Sequence, residues 1–470
     1  MAMSKINVGV AVCDLTPSLG CAMGGYGARK GTANAVGARL WCRAMVFDDD
    51  VAPVALVVCD LLFVTRDLSR RVREGVANTL GWSSDRVMLT ATHTHSGPAG
   101  LTDGLDEAYV TRIASGIANA VVEAFTSRRP ARLMITGASV SSISQNRRDP
   151  DGPIERVARV LFAQDEHADD VVLSVVNYSC HATVLEHDNL ALSSDFPGAM
   201  VEAVEQALGG RAVYLQGCAG SINPVWMAHT FPEVRRIGNI LGAAAVRAIE
   251  EAKPVGRGQW SVNLSRGDDV HKEAAGGEML SDFSLSAAVV PAVLQPRERR
   301  PLEEVEQELG EINRAVVDAG SDAKGRTKYE LTARRAALQM EAFYERRDYV
   351  NDPESIGADD TTETERSVSV QVLRFGKDLA IVGLPGEPFL EIAESIRELS
   401  GVRHVLVAGY ANEAIGYVPV ESEFPFDGYE VGCARFSPAA ADQLVAAALE
   451  ALRASDTTPE DLYAEPGESV

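Results

Sequence analysis

Cysteine is scarce here and poorly placed for cross-linking. The 470-residue chain has seven, an odd number, widely scattered and with no Cys-x-x-Cys. A disulfide framework and a zinc ribbon are therefore both excluded. Positive charge is also short: 44 Lys and Arg face 67 Asp and Glu, a formal net charge of −23. Nucleic acids and anionic membrane surfaces reward Lys and Arg, so no nucleic-acid partner and no stable membrane association is expected. No apolar run approaches the roughly 18 residues that a transmembrane helix needs. Met1-Ala2-Met3-Ser4-Lys5 opens without the apolar stretch of a secretion signal, which makes the cytoplasm the expected compartment. Histidine is rare as well, eight in all, so the places where it falls are informative. There is no internal repeat, and oligomeric state leaves no mark in the sequence.

What is present suits a large α/β protein. The chain is 46% hydrophobic, enough for a sizeable core. Its length allows about 2–3 domains, or one large α/β domain. Ile6 to Val12, Leu40 to Phe47 and Val54 to Cys59 read as strands, and Asp60 stands at the end of the third. Asp67 is placed to cap a helix carrying Leu68, Val72, Val76 and Leu80, closed by Gly81. A second helix puts Tyr109, Ile113, Ile117, Val121 and Phe125 on one face. The expected class is α/β, in layers, with a mixed β-sheet core flanked by helices.

Chemistry-bearing residues gather at strand ends. The apolar run Val87-Met88-Leu89 leads into Thr90-Ala91-Thr92-His93-Thr94-His95-Ser96-Gly97-Pro98. His93 and His95 would share a face in an extended chain, but a turn can splay them, freeing one imidazole for a metal and the other for a proton. The strand Val171 to Tyr178 ends at Ser179-Cys180-His181. Ala212 to Leu215 runs into Gly217-Cys218-Ala219-Gly220-Ser221-Ile222-Asn223-Pro224, a turn suited to presenting backbone N–H groups to an oxyanion. Leu379 to Gly383 ends at Pro385-Gly386-Glu387. Gln145 to Pro150, taken alone, reads as a solvated basic turn. Residues 265–300 read as irregular, and 301–348 as a helical hairpin with Leu302, Val305, Leu309, Leu331 and Leu338 facing inward. Residues 265–366 together read as an irregular and helical insertion.

Several of these motifs, in this order, resemble the neutral/alkaline non-lysosomal ceramidases. They are Thr92 to Pro98, Gly24-Gly25-Tyr26-Gly27, Arg39 to Ala44, Asn146-Arg147, Cys180-His181-Ala182-Thr183, Gly217 to Pro224, Pro385-Gly386-Glu387 and Tyr417-Val418. The resemblance runs over roughly residues 6–450 and implies one catalytic domain filling 1–470. It implies a zinc ion held by His93, His181, Glu387 and Tyr417, with His95, Arg147 and Tyr429 assisting catalysis. The chemistry is coherent. Zinc accepts imidazole nitrogen and carboxylate oxygen. It polarises a carbonyl or brings the pKa of bound water to about 7. A neighbouring histidine can pass a proton to the leaving amine, and an arginine or tyrosine can stabilise an oxyanion.

The chain also departs from the family. The family's Gly-Asp-x-Ser-Pro-Asn loop carries a serine taken as nucleophile, and the matching residue here is Asn223, which has no nucleophilic hydroxyl. Ser221 stands where the family has Asp. The chain ends soon after the catalytic domain, so the family's C-terminal β-domain is expected to be absent. The reading is a zinc-dependent hydrolase cleaving the amide bond of a small soluble substrate. Zinc-activated water attacks, and Asn223 serves as an oxyanion donor. Two alternatives use the same site: acyl transfer, amide formation or ester cleavage, and a metal-binding protein without catalysis. Metallo-β-lactamases need Asp-His soon after His-x-His, where Ser96-Gly97 stands here. Barrel amidohydrolases place His-x-His near their first strand, and here it follows several.

Overall fold

The computed structural model describes residues 6–99, 107–140, 142–168, 170–252, 278–280, 284–298, 300–318, 331–332, 334–339, 341–342, 366–426 and 428–456. The largest sheet among them has nine strands. Its path runs Arg211–Gln216, Val171–Tyr178, Val157–Asp165, Arg129–Ser139, Ile6–Asp14, Trp41–Asp48, Val54–Cys59 and Val87–Ala91, with Glu278–Met279 added beside Arg129–Ser139. A second sheet of four strands runs Leu285–Leu294, Arg366–Phe375, Leu379–Gly383 and His404–Ala408.

The apolar runs are continuous because both faces of each sheet are covered. On Trp41–Asp48, Met45 and Phe47 point to the second sheet, where they meet Leu373, Phe375, Ile381 and Leu406. Phe47 and Phe375 meet edge to face at 5.0 Å. Ala44 and Val46 point the other way, onto Val72, Val76, Ile117 and Val121 of helices Arg66–Leu80 and Glu107–Thr126. Helices Asp195–Leu208 and Phe231–Glu251 cover the rest of that face. Helices Leu390–Leu399 and Ala440–Ala454 cover the outer face of the second sheet. The layers therefore run helix, sheet, sheet, helix, a mixed α/β architecture.

Thr65, not Asp67, caps the first helix, accepting from Leu68 N–H at 3.2 Å. Asp67 lies in the first turn, where its charge favours the positive helix end, and Gly81 closes the helix at φ 72° as expected. The stretch read as irregular needs a larger correction. Residues 265–277 fall outside the described ones, but Leu285–Leu294 is a regular strand paired antiparallel with Arg366–Phe375 along its length. Pro291 is what makes the stretch read as irregular. The strand holds because it is an edge strand, where a missing N–H costs no ladder bond. The helical hairpin is present in part. Leu302–Asp318 is a helix, and Val305 packs on Leu338 and Ala342 of a second helical stretch.

Within the two main sheets three strand pairs are parallel, each joined through an outer helix. They are Val54–Cys59 with Val87–Ala91, Val171–Tyr178 with Arg211–Gln216, and Leu379–Gly383 with His404–Ala408. Segments beyond the carboxyl ends of such strands are where ligands bind in α/β sheets. Here the loops interlock. Gln216 Nε2 donates to Thr92 O at 3.2 Å, linking the two edges of the large sheet. Residues 409–412, which follow the second sheet's last strand, fill the join. Gly409 N donates to Gln216 O at 3.1 Å, Thr90 Oγ1 to Gly409 O at 2.8 Å, and Asn412 N to Leu89 O at 2.8 Å.

Candidate metal centre

His93 lies just past Val87–Ala91 with φ 61°, a left-handed conformation that a non-glycine residue rarely adopts. That turn separates its ring from the alternation of the strand. His93 Nδ1 lies 2.8 Å from Leu62 O. His181 is held in the same way, with Nδ1 2.6 Å from Ala219 O and 3.2 Å from Ile222 O. A ring nitrogen facing a carbonyl at these distances must carry the proton. Each Nε2 therefore presents a lone pair to the interior.

Glu387 comes from the other sheet. Gly386 at φ 69° turns the chain after Leu379–Gly383, and Glu387–Pro388 then pairs with Tyr417–Val418. Glu387 Oε2 sits 3.2 Å from His93 Nε2 and 3.3 Å from His181 Nε2. Among the described residues neither Glu387 Oε2 nor His181 Nε2 makes a hydrogen bond of good geometry, and all three side chains are buried. Three electron-pair donors thus converge in a dry place with no proton between them. Such groups are costly without a partner, and a cation is the partner that fits all three. Protonating His181 does not relieve the conflict. Burial and the neighbouring Arg147 push His181 down to about 4.

His95 Nε2 is 3.1 Å from His93 Nε2, and the ring nitrogens of His93, His95 and His181 all lie within 4.8 Å of one another. Two donor sets therefore share His93 and His181, one completed by Glu387 and the other by His95. The His95 ring meets Tyr26 edge-on at 4.8 Å, and its Nδ1 has no partner among the described residues. A Cβ on Gly25 would come within 2.5 Å of this ring, so only glycine allows so close an approach. Burial, then His93 and His181, depress the His95 pKa well below the ordinary value.

Tyr417 is the register partner of Glu387, and its ring stacks with His181 at 6.5 Å and 14°. Its hydroxyl is bonded by Arg147. Arg147 Nη2 donates to Gly220 O at 2.6 Å, and Nη1 lies 3.5 Å from Asn223 Oδ1. Asn223 is half-buried on Ile222–Pro224, which pairs with Ser144–Asn146. Tyr429, also half-buried, meets Tyr417 edge-on at 5.8 Å, one ring removed from the histidines. The structure thus brings His93, His95, His181, Glu387, Tyr417, Arg147 and Asn223 together, with Tyr429 behind them.

Two expectations are corrected. The turn after Arg211–Gln216 has three of its N–H groups already engaged within the fold. Those of Gly217, Gly220 and Ile222 donate to Tyr178 O, Pro388 O and Ala219 O. It presents carbonyls instead, to His181 and Arg147, because its neighbours are donors. Nor is the 145–150 loop a solvated basic turn, since the side chains of Arg147 and Arg148 are only 14% and 9% exposed.

Sequence reasoning missed Tyr410, Glu430 and the part played by Asp60. Tyr410, at φ 56° and fully buried, stacks on His93 at 4.1 Å, and its hydroxyl has no partner among the described residues. It lies just past the apolar strand His404–Ala408, and a place at the end of such a strand is the signal that marked His93 and His181. Asp60 accepts from Trp41 N–H at 3.0 Å and Thr92 Oγ1 at 3.3 Å, bracing the loop that carries His93. Glu430 pairs with both loop arginines. A carboxylate beside a tyrosine in an acidic chain carries no sequence signal.

Residues 6–220 match the family model for the N-terminal part of neutral/alkaline non-lysosomal ceramidase. The neutral ceramidase of Mycobacterium tuberculosis is 24% identical over 516 aligned positions, spanning 95% of this chain and 77% of that protein. The neutral ceramidase of Pseudomonas aeruginosa is 24% identical, over 88% of this chain and 67% of that protein. The crystal structure of neutral ceramidase from Pseudomonas aeruginosa superposes with a TM-score of 0.69 at 20% identity, covering 97% of this chain and 75% of that one, so the fold is shared. The match to the family model over residues 6–220, together with relatives of that name aligned along nearly the whole chain, makes this chain similar to the neutral/alkaline non-lysosomal ceramidases.

Proposed function

We propose that this chain is a zinc-dependent hydrolase of an amide C–N bond and that its substrate is an amide-containing lipid. The observation that carries the reading is the convergence of His93 Nε2, His181 Nε2 and Glu387 Oε2 on one buried point without a proton between them. Held by these three with Tyr417, zinc would polarise the amide carbonyl and acidify a water molecule. The chain's own groups do the rest. His95 is close enough to move a proton between the attacking water and the leaving amine. Arg147, charged at every working pH, faces Tyr417 and can stabilise negative charge on the carbonyl oxygen. Asn223 offers an amide where a serine would offer a hydroxyl, so the attacking group is water and no acyl-enzyme forms.

The sequence pointed to a small soluble amide, and we revise that to a lipid. The aligned relatives are named for ceramide, a lipid amide. Apolar side chains also stand exposed on the segments that carry Asn223 and Tyr429: Met227 is 77% and Phe426 78% exposed. The test is zinc content and amide cleavage by the purified protein across a series from short soluble N-acyl amines to long-chain ceramide. Expected are one equivalent of zinc and a rate that rises with chain length, is lost with a chelator and returns with zinc. A protein without stoichiometric metal, or without cleavage anywhere in the series, contradicts the reading. Cleavage of short amides alone restores the small-substrate reading.

A further inference from the structure

Arg147 and Arg148 are consecutive, and their side chains are only 14% and 9% exposed. Two adjacent guanidiniums in a dry site repel unless negative charge lies between them. Glu430 supplies it. Its Oε1 is 2.7 Å from Arg147 Nε and its Oε2 is 2.9 Å from Arg148 Nη1, with the side chain 6% exposed. Arg148 Nε in turn meets Glu423 Oε2 at 2.6 Å. Glu423, Arg148, Glu430 and Arg147 thus alternate in charge, in a file that runs inward to the Tyr417 hydroxyl. The backbone is built for this approach. Glu430 sits in the single helical turn Tyr429–Gly432, and a Cβ on Gly428, at φ 108°, would meet Arg148 Nη1 at 2.7 Å.

We infer that Glu430 is a positioning residue that aims Arg147. It holds the guanidinium where Nη2 meets Gly220 O and the Tyr417 hydroxyl is in reach. Glu423, whose ion pairs run to Arg148, balances charge without setting that aim. The geometry stands alone, while its catalytic consequence rests on the proposed amide hydrolysis.

The test pairs crystallography with kinetics on zinc-loaded Glu430→Gln. The Arg147 guanidinium leaves Gly220 O in the crystal. Zinc content stays at the wild-type level, and kcat falls about 10²-fold with little change in KM, the expected effect of a misplaced group. In an Arg147→Ala background the same change adds little, because the group it aims is gone. Glu430→Asp keeps the charge one methylene short and recovers part of the rate. It is also the variant for the same cycle if Glu430→Gln does not fold. An unmoved Arg147, or a full extra loss on top of Arg147→Ala, overturns the inference. If the wild type cleaves no amide, the functional reading falls, while the position of Arg147 in the variant still decides this one.

Discussion

Two buried glutamates on neighbouring loops, Glu387 and Glu413, have opposite surroundings. Glu413 is fully provided for. Its oxygens take Arg66 Nη2 at 2.8 Å and Ser369 N–H at 2.9 Å, and Arg366 lies 3.5 Å away. Glu387 Oε2 faces two imidazole lone pairs and accepts no good hydrogen bond. Both sit among residues that hold the two sheets together, so burial alone does not mark the functional one. What separates them is the missing donor. A buried charge that the chain pairs itself is structural. One that the chain surrounds with further electron-pair donors is addressed to something else.

Substitutions at the two glutamates should therefore diverge. Glu387→Gln removes the charge that, on the proposed reading, balances the metal. It should lose zinc and all measurable activity, and His181→Ala should lose most of the zinc while remaining folded; elemental analysis and circular dichroism check both. His95→Ala should keep its zinc and lose ~10²–10⁴ in kcat, the range for a general acid–base group. Zinc loss there, with unchanged turnover in the metallated fraction, would make His95 a ligand and move the comparison to the three-histidine set. Asn223→Ala should cost about 10² in kcat if its amide meets the oxyanion, whereas Ser221→Ala should cost little. Intact-mass trapping during turnover should find no acyl adduct on Ser221. Glu413→Gln comes last for activity. It should retain zinc and turnover but unfold more easily, by about 3 kcal/mol, because Arg66 and Arg366 lose their shared carboxylate. Loss of zinc from Glu413→Gln would erase the distinction.

The legible parts of this molecule are those that repeat a local pattern. Strands buried on both faces read as apolar runs, and the helices showed their stripes. His93 and His181 stood out because each ends such a run. Glu387 and Tyr417 are joined by a two-residue bridge between loops 30 positions apart, which no periodicity encodes; the family resemblance supplied that pairing. Leu285–Leu294 was missed because Pro291 disfavours a strand wherever both edges are paired, and the sequence does not say which edge is free. Tyr410 and Glu430 act through side-chain contacts across the fold, with His93 and with the loop arginines. Only the assembled layers bring those residues together.

Anomalous diffraction at the zinc edge, from crystals of the purified protein, tests the central claim most directly. The account predicts one strong peak bonded to His93 Nε2, His181 Nε2, Glu387 Oε2 and the Tyr417 hydroxyl at ~2.0–2.2 Å, with His95 outside the coordination sphere. The absence of any peak between these side chains, with the protein folded and active, would contradict it.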